Sequence, residues 1–298
     1  MRFATFNVLH GRTLGDGRPV SVPAPDAERP LADAVASLDA DIVALQEVDR
    51  LQERSGHADQ ARAAADASGA RDWRYASAVH GRAVPGQGWV LDPAEPGLRV
   101  YGPRDARPGP DVPSHGIALL SRLPVREWRA RRFAPAPLGM PLRVAGRSGL
   151  TVVRDQPRAA LAAVPVGPHG PFTVVALHLS FVPGWNVRQL LAVRDWIADL
   201  PRPCVLLGDF NLIGAIPRAV LNGAERVGTV PGRRRSALAV VAGGWREPAR
   251  VPTYPSHRPV VQFDHVLAAG APRFAVDGVR APRTPISDHR PLVVGLRW

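Results

Sequence analysis

Six short polar motifs interrupt the apolar runs of this chain: Phe6-Asn7-Val8, Leu45-Gln46-Glu47-Val48-Asp49, Ala176-Leu177-His178-Leu179-Ser180, Gly208-Asp209-Phe210-Asn211, Phe263-Asp264-His265 and Ser287-Asp288-His289. Each sits at the end of a stretch that reads as a buried strand. A carboxylate or amide there is costly unless it meets a partner or a metal. Convergence of all six on one point explains them better than six separate burials. The chemistry open to such a set is cleavage of a phosphate ester, which needs charge neutralised on phosphoryl oxygens, water activated and a leaving oxygen helped away. Glu47, Asp209, Asp288 and the amides of Asn7 and Asn211 offer oxygen donors for a hard divalent cation. The His pattern is not clustered, so Mg²⁺ or Mn²⁺ is expected rather than Zn²⁺. His178 and His289 can carry protons or donate to phosphate near neutral pH. Asp264 is a candidate to fix a histidine tautomer.

Bringing six strand ends together requires layered strands and helices, and the spacing predicts them. Residues 1–8 read as a strand, followed by a Gly-, Pro- and Asp-rich loop over 11–30. Leu31, Val35 and Leu38 recur at helical spacing behind Pro30, which suits a first turn. Residues 41–45 form a short apolar run, as in a strand covered on both faces. This strand, helix, strand order is that of an α/β layered domain. A second helix is expected over 59–68 and a strand over 73–79. Residues 80–114, dense in Gly, Pro and Arg, read as a long loop insertion, a length that marks either disorder or a functional lid. Strands over 115–121 and 125–133 read as a pair hinged at Leu123-Pro124, ahead of a second Pro-rich stretch over 134–149. A hairpin is predicted over 159–180, turning at Gly167-Pro168-His169-Gly170. A helix over 186–200 follows, with Leu190, Val193 and Ile197 on its apolar face. After it come a strand at 205–207, helices over 216–222 and 236–242, and strands over 262–268, 273–279 and 291–297. No linker separates the motifs between Asn7 and His289, so residues 1–298 are expected to form a single domain.

The chain's 298 residues and 45% hydrophobic content suffice for a large core. No apolar stretch reaches the length of a membrane span, and Met1-Arg2-Phe3-Ala4 runs straight into a strand pattern. A cytoplasmic protein without a signal peptide is therefore expected. The single cysteine, Cys204, allows no internal disulfide and reads as a small core residue. The formal net charge is +12, and the basic residues are all Arg. Such a surface attracts polyanions, including nucleic acid, anionic headgroups and phosphorylated sugars, and Arg pairs with phosphate in a bidentate way. Arg233-Arg234-Arg235, the one tight cluster, reads as a solvated helix start.

Several residues near the motifs have plainer readings. His265 follows Asp264 and by alternation faces the other side of its strand, as a structural residue. His115 begins the Gly116-Ile117-Ala118 strand, where capping and substrate contact are both open. The polar patch from Arg54 to Gln60 is explained in part by a helix cap at Asp59 or Ser55; support for Glu47 is the functional alternative. Trp89, Tyr101, Arg82, Arg99, Arg104 and Arg107 sit in the long loop, and aromatics mixed with Arg suit stacking on bases or sugars.

With these residues in view, the chain resembles the endonuclease/exonuclease/phosphatase family, which includes deoxyribonuclease I, abasic-site endonucleases, neutral sphingomyelinases, inositol polyphosphate 5-phosphatases and deadenylases. The segments that carry the resemblance are Thr5-Phe6-Asn7-Val8, Leu45-Gln46-Glu47-Val48-Asp49, Gly116-Ile117-Ala118-Leu119-Leu120-Ser121-Arg122, Leu177-His178-Leu179, Gly208-Asp209-Phe210-Asn211, Phe263-Asp264-His265-Val266 and Ser287-Asp288-His289-Arg290-Pro291. They follow the family's order and cover nearly the whole chain. The resemblance implies an α/β fold of the α+β type, a four-layer α-β-β-α sandwich with two mixed sheets face to face. It implies that Glu47, with Asn7 and Asp288, holds the metal, and that Asp209 orients or deprotonates water, with Asn211 positioning it. His289, held by Asp264, would contact the scissile phosphate. His178 would stabilise the pentacovalent state or protonate the leaving group. Arg188-Gln189 match a further family feature and are expected to support the site. The text around Asn7 and Glu47 departs from the abasic-site branch. The expected activity is that of a metal-dependent phosphodiesterase on DNA or RNA. A phospholipid headgroup or small phosphorylated metabolite is the alternative substrate, and a non-catalytic phosphate-binding scaffold is the alternative of another class.

Overall fold

The computed structural model describes residues 1–20, 28–84, 88–94, 97–105, 112–142, 149–227, 244–271 and 273–298. One sheet has eight strands. From edge to edge it runs Ala275–Arg280, Leu292–Arg297, Arg2–Asn7, Ile42–Arg50, Ser114–Ser121, Asp72–Val84 and Gly88–Leu91, with Arg99–Tyr101 also on Asp72–Val84. The other has six strands, ordered Gly170–Pro171, Arg158–Gly167, Thr173–His178, Cys204–Asp209 and Asp264–Ala269, with Val125–Phe133 on the far side of Arg158–Gly167. Both sheets are mixed: Arg2–Asn7 runs parallel to Ile42–Arg50, and Thr173–His178 parallel to Cys204–Asp209.

Period-two alternation decides what each face covers. Phe3, Ile42, Ala44, Ile117 and Leu119 point between the sheets and meet Leu161, Val174, Ala176, Val205, Leu207 and Val266 from the other side. The alternate residues Ala4, Phe6, Val43 and Leu45 face outward under helices Arg29–Ala36 and Gln60–Ser68, through Leu31, Val35, Ala61 and Ala65. Leu177 and Leu206 lie likewise under helices Trp185–Trp196 and Ile216–Val227, through Leu190, Val193 and Leu221. The result is the four-layer sandwich. Asp59 caps the second helix by accepting from the Arg62 backbone N–H at 3.2 Å, as the cap reading required. Cys204 is buried.

Some expectations change. Residues 80–114 are not one loop: Asp72–Val84 extends into the segment, and Gly88–Leu91 and Arg99–Tyr101 add strands to it. Dense Gly and Pro hide the alternation of such short strands. Ser114–Ser121 and Val125–Phe133 do not pair; Leu123-Pro124 carries the chain from one sheet to the other. The loop over 11–30 holds a two-residue hairpin, Leu14–Gly15 with Arg18–Pro19. The helix expected over 236–242, Arg233 to Arg235, and Arg107 lie outside the described residues. Among the described residues no helix is long and apolar enough to cross a membrane.

Candidate active site

The sheets open at the end where Arg2–Asn7, Ile42–Arg50, Thr173–His178 and Cys204–Asp209 arrive and Asp264–Ala269 departs. Asn7, His178 and Asp209 are the last residues of their strands. His178 pairs in register with Asp209, and Asp209 with Asp264, so three functional groups stand in one row. Gly208 permits this approach, because a Cβ there would lie 2.1 Å from the Leu177 carbonyl oxygen. Glu47 is aimed differently. The register against Ser114–Ser121 slips between Gln46 and Val48, and Glu47 takes φ +56°. A bulge of this kind re-aims one side chain, and a non-glycine residue in that region stores strain. Leu9, His10, Asn211 and Ser287 also have positive φ, so strained backbone gathers around the cleft.

Asn7 joins the two sheets. Its Nδ2 donates to Glu47 Oε1 at 3.1 Å and to Asp209 Oδ2 at 3.0 Å, while its Oδ1 accepts from the Leu9 N–H at 3.1 Å. These partners dictate the amide orientation, because two carboxylates can only accept. Expected among the metal ligands, Asn7 here presents its nitrogen to the carboxylates and acts as a bridge. Asp209 Oδ1 accepts from the Asn211 N–H at 3.0 Å, and Oδ2 lies 3.8 Å from His178 Nε2 and 3.9 Å from His289 Nε2. Asn211 donates to the Leu179 carbonyl at 3.0 Å. His289 Nδ1 meets Asp264 Oδ2 at 2.9 Å, and Thr253 Oγ1 donates to the same oxygen.

Charge divides the histidines. Burial opposes ionisation of His289, but Asp264 outweighs it through charge and hydrogen bond, and the ring is pushed up to about 10. His289 is therefore an imidazolium. Burial, then the Arg158 charge, hold His178 well below the usual range, so that ring is neutral. Arg158 Nη1 lies 2.9 Å from His178 Nε2 and 3.1 Å from Nδ1. A nitrogen so near both cannot lie in the ring plane without striking Cε1 between them. The guanidinium sits over the ring face and leaves both ring nitrogens available. Burial pushes Asp209 up to about 6, which makes it a stronger base than an exposed carboxylate.

Among the described residues, Glu47 and Asp288 are the acids left partly open at the cleft, both half-buried. Burial, and then the Glu47 charge, raise Asp288. At Glu47 burial acts upward, but His115, the Asn7 hydrogen bond, His10 and Arg158 hold the group low. Glu47 and Asp288 are near enough for the charge of one to act on the other, and two half-buried carboxylates offer the oxygen donors that a hard divalent cation takes. Asp209, Asp264 and His289 also bring one ligand atom each within 4.8 Å of one another. In that group Asp264 Oδ2 and His289 Nδ1 are already engaged with each other at 2.9 Å, whereas the Glu47–Asp288 side offers carboxylate oxygens open to the cleft. Asp264 Oδ1 is buried without a hydrogen-bond partner among the described residues.

Other expected residues lie elsewhere. Gln189 is buried and accepts from the Ser180 N–H at 2.8 Å, fixing the loop after His178. Arg188 lies over the Trp185 ring, 5.0 Å from its centroid. His265 faces away, with Nε2 at 2.8 Å from the Leu212 carbonyl and Nδ1 at 3.1 Å from Glu247. Arg54 and His115 meet at Asp49, beside Glu47 on the bulged strand. Sequence reasoning missed Arg158, held by Asp155 at 3.4 Å, and Thr253 behind Asp264. It also missed His10, pushed down to about 4 by burial and then by Arg54. The one signal for Arg158 was its place just ahead of an apolar run.

The model of the Endonuclease/Exonuclease/phosphatase family matches residues 4–289. No curated protein matches the chain. Among solved structures, the endonuclease/exonuclease/phosphatase of Beutenbergia cavernae is 22% identical, with a TM-score of 0.56 over 99% of this chain and 71% of that one. A mannosyl-6-phosphatase of Bacteroides thetaiotaomicron is 16% identical, with a TM-score of 0.56 over all of both chains. The human Nocturnin catalytic domain, solved with bound sulfate, is 14% identical, with a TM-score of 0.56 over 100% of this chain and 94% of that one. At these identities the solved structures speak for the fold alone. The sequence match runs from before Asn7 to His289 and so takes in every motif that meets in the cleft: this chain belongs to the Endonuclease/Exonuclease/phosphatase family of phosphoesterases.

Proposed function

We propose that the protein is a divalent-metal-dependent phosphodiesterase of nuclease type, acting on DNA or RNA with Mg²⁺ or Mn²⁺. The observation that carries this reading is the hydrogen-bonded line Asp209–Asn7–Glu47, which ties a raised carboxylate base to the cation-binding acids across two sheets. Glu47 and Asp288 would hold the metal, which supplies positive charge to the oxygens of the reacting phosphate. Asp209 Oδ2 takes the proton of the attacking water, and Asn211 fixes the Asp209 carboxylate through its backbone N–H. The His289 imidazolium, held by Asp264, pairs with a phosphoryl oxygen. His178, being neutral, donates a hydrogen bond to the phosphoryl group and has no spare proton to give, so the leaving oxygen takes its proton from solvent water to depart as an alcohol; Arg158 adds charge from above the His178 ring.

The all-Arg excess charge of +12 favours a polyanionic substrate. The test is a panel of oligonucleotides, phospholipid headgroup esters and small phosphate esters, assayed with Mg²⁺, Mn²⁺ and chelator. A nuclease cleaves oligonucleotides only with metal and loses binding steeply as salt rises. Activity confined to small or lipid esters, with little salt dependence, selects the alternative substrate class. Binding without turnover under either metal would establish a scaffold instead.

A further inference from the structure

Asp49 has no part in the chemistry above, yet it is wholly buried and heavily engaged. It accepts from Arg54 Nε and Nη2, both at 2.8 Å, and pairs with His115 Nδ1 at 2.7 Å. Trp89 stands beside both groups. Its ring centroid is 5.3 Å from that of His115 and 5.1 Å from the Arg54 guanidinium carbon. Three residues from separate elements are thus locked in one wall: the turn Glu53–Ser55, the strand Ser114–Ser121 and the strand Gly88–Leu91. None of these bonds uses His115 Nε2 or Arg54 Nη1. His115 also lines a narrow crevice whose opposite side is formed by Arg158 and His178. The wall therefore borders the reaction cleft.

We infer that Trp89, Arg54 and His115 form the subsite for the departing alcohol, and that this alcohol carries a sugar or nucleobase ring. The inference rests on the phosphodiesterase reading and adds the residues and the side of the cleft that take the leaving group. In an in-line displacement the attacking and leaving oxygens lie on opposite sides of phosphorus. Asp209 holds the water, Asn7 spans Asp209 and Glu47, and Asp49 stands two residues past Glu47 on the same strand. The leaving oxygen is therefore directed away from Asp209, toward the Glu47 side and the Trp89 wall. An acyl chain fits this wall poorly, because it would desolvate Arg54 and His115 without replacing their hydrogen bonds. A sugar or base offers Trp89 a flat face and offers His115 Nε2 and Arg54 Nη1 polar edges. Asp49 acts at one remove, as a positioning residue that fixes the two donors.

The experiment is calorimetric titration of the Mg²⁺-loaded protein with methyl phosphate and with a nucleoside monophosphate, comparing wild type, Trp89→Ala and Trp89→Phe. Trp89→Ala should weaken the nucleotide about tenfold and leave methyl phosphate unchanged. Trp89→Phe, which keeps a ring, should recover most of that loss. Equal weakening of both ligands by Trp89→Ala, or no weakening of either, overturns the subsite while leaving the phosphodiesterase reading standing. Failure of wild type to bind either ligand removes that reading, and the subsite with it. A lower melting temperature in Trp89→Ala with unchanged nucleotide affinity would assign Trp89 a structural role only, and would also overturn the proposal.

Discussion

Asn7→Asp tests the centre of the proposed site with almost no change of shape. In the wild type the Asn7 amide donates to two carboxylates, at 3.1 and 3.0 Å. Hydrogen bonds to charged groups contribute about 1.5–3 kcal/mol each. The substitution turns both into contacts between like charges. At about 3 Å and an effective dielectric constant of about 20, each new pair costs roughly 5 kcal/mol before relaxation. Movement of the side chains and proton uptake relieve part of this, so a net loss of about 3–6 kcal/mol is expected in chelator. For a chain of this size that is on the order of 10 °C in melting temperature. A divalent cation bound by Glu47 and Asp288 would find a third carboxylate beside it, so metal should raise the melting temperature of Asn7→Asp more than that of wild type. Asn7→Ala loses both bonds without adding charge, about 3–6 kcal/mol, and should show no enlarged metal response. Thermal unfolding of the three proteins in chelator and in Mg²⁺ makes the comparison. An Asn7→Asp protein that melts within a degree of wild type in chelator, or responds to metal no more than wild type, would refute the placement of Asn7 between the base Asp209 and a cation-binding Glu47.

Other outcomes follow from the same geometry. Glu47→Gln, Asp209→Asn and His289→Ala should each lower turnover by about 10²–10⁴-fold with the folded state retained, as read by steady-state rates beside circular dichroism; a near-normal rate removes that residue from the site. Arg158→Met keeps an apolar stem over His178 but removes the charge, so KM for a phosphodiester should rise about tenfold; the buried Asp155 carboxylate also loses its ion-pair partner, so the melting temperature should fall as well. Gly116→Ala puts a Cβ 1.9 Å from the Ala76 carbonyl oxygen, opposite the Glu47 bulge. It should cost several kcal/mol and reduce Mg²⁺-dependent activity further than stability alone accounts for; a variant with wild-type melting and activity would show that this close approach does not hold the bulge.

Much of the layering was legible because alternation is a strong signal where one strand has two distinct covered faces. Phe3 and Ala4, Ile42 and Val43, and Leu206 and Leu207 each send one residue between the sheets and one under a helix. Helix Trp185–Trp196 announced itself through Leu190 and Val193 at helical spacing. Two features were not legible. Leu123-Pro124 looks like a hairpin turn, but whether the next strand pairs with its predecessor or crosses to another sheet depends on contacts far away in sequence: Val125–Phe133 finds its partner in Arg158–Gly167. Gly88–Leu91 and Arg99–Tyr101 are too short, and too exposed at Val90, Leu91 and Val100, to show a buried face.

The site divides along the direction of the strands. Chains that run toward the cleft end in a polar residue after an apolar run, and that ending is conspicuous: Asn7, His178 and Asp209 all mark themselves in this way. Chains that run away from the cleft begin with the functional residue, and a polar residue ahead of an apolar run looks like any loop-to-strand boundary. Arg158 and His115 are of this kind. Arg158 is further hidden because every basic residue in the chain is Arg, so no arginine stands out by type. Asp264 begins its strand and His289 precedes its own, yet both lay within recognisable motifs. Glu47 is an intermediate case: the sequence marks it as a strand-end acid, but it lies inside Ile42–Arg50, and only the bulge turns it to the cleft. Arg54, His115 and Trp89 were each legible as candidates but not as one wall, and Asp49 shows why. Its carboxylate is tolerable in the core only because Arg54 and His115 neutralise it there, and their sequence positions, five and sixty-six residues away, reveal the partnership only after the two strands pair.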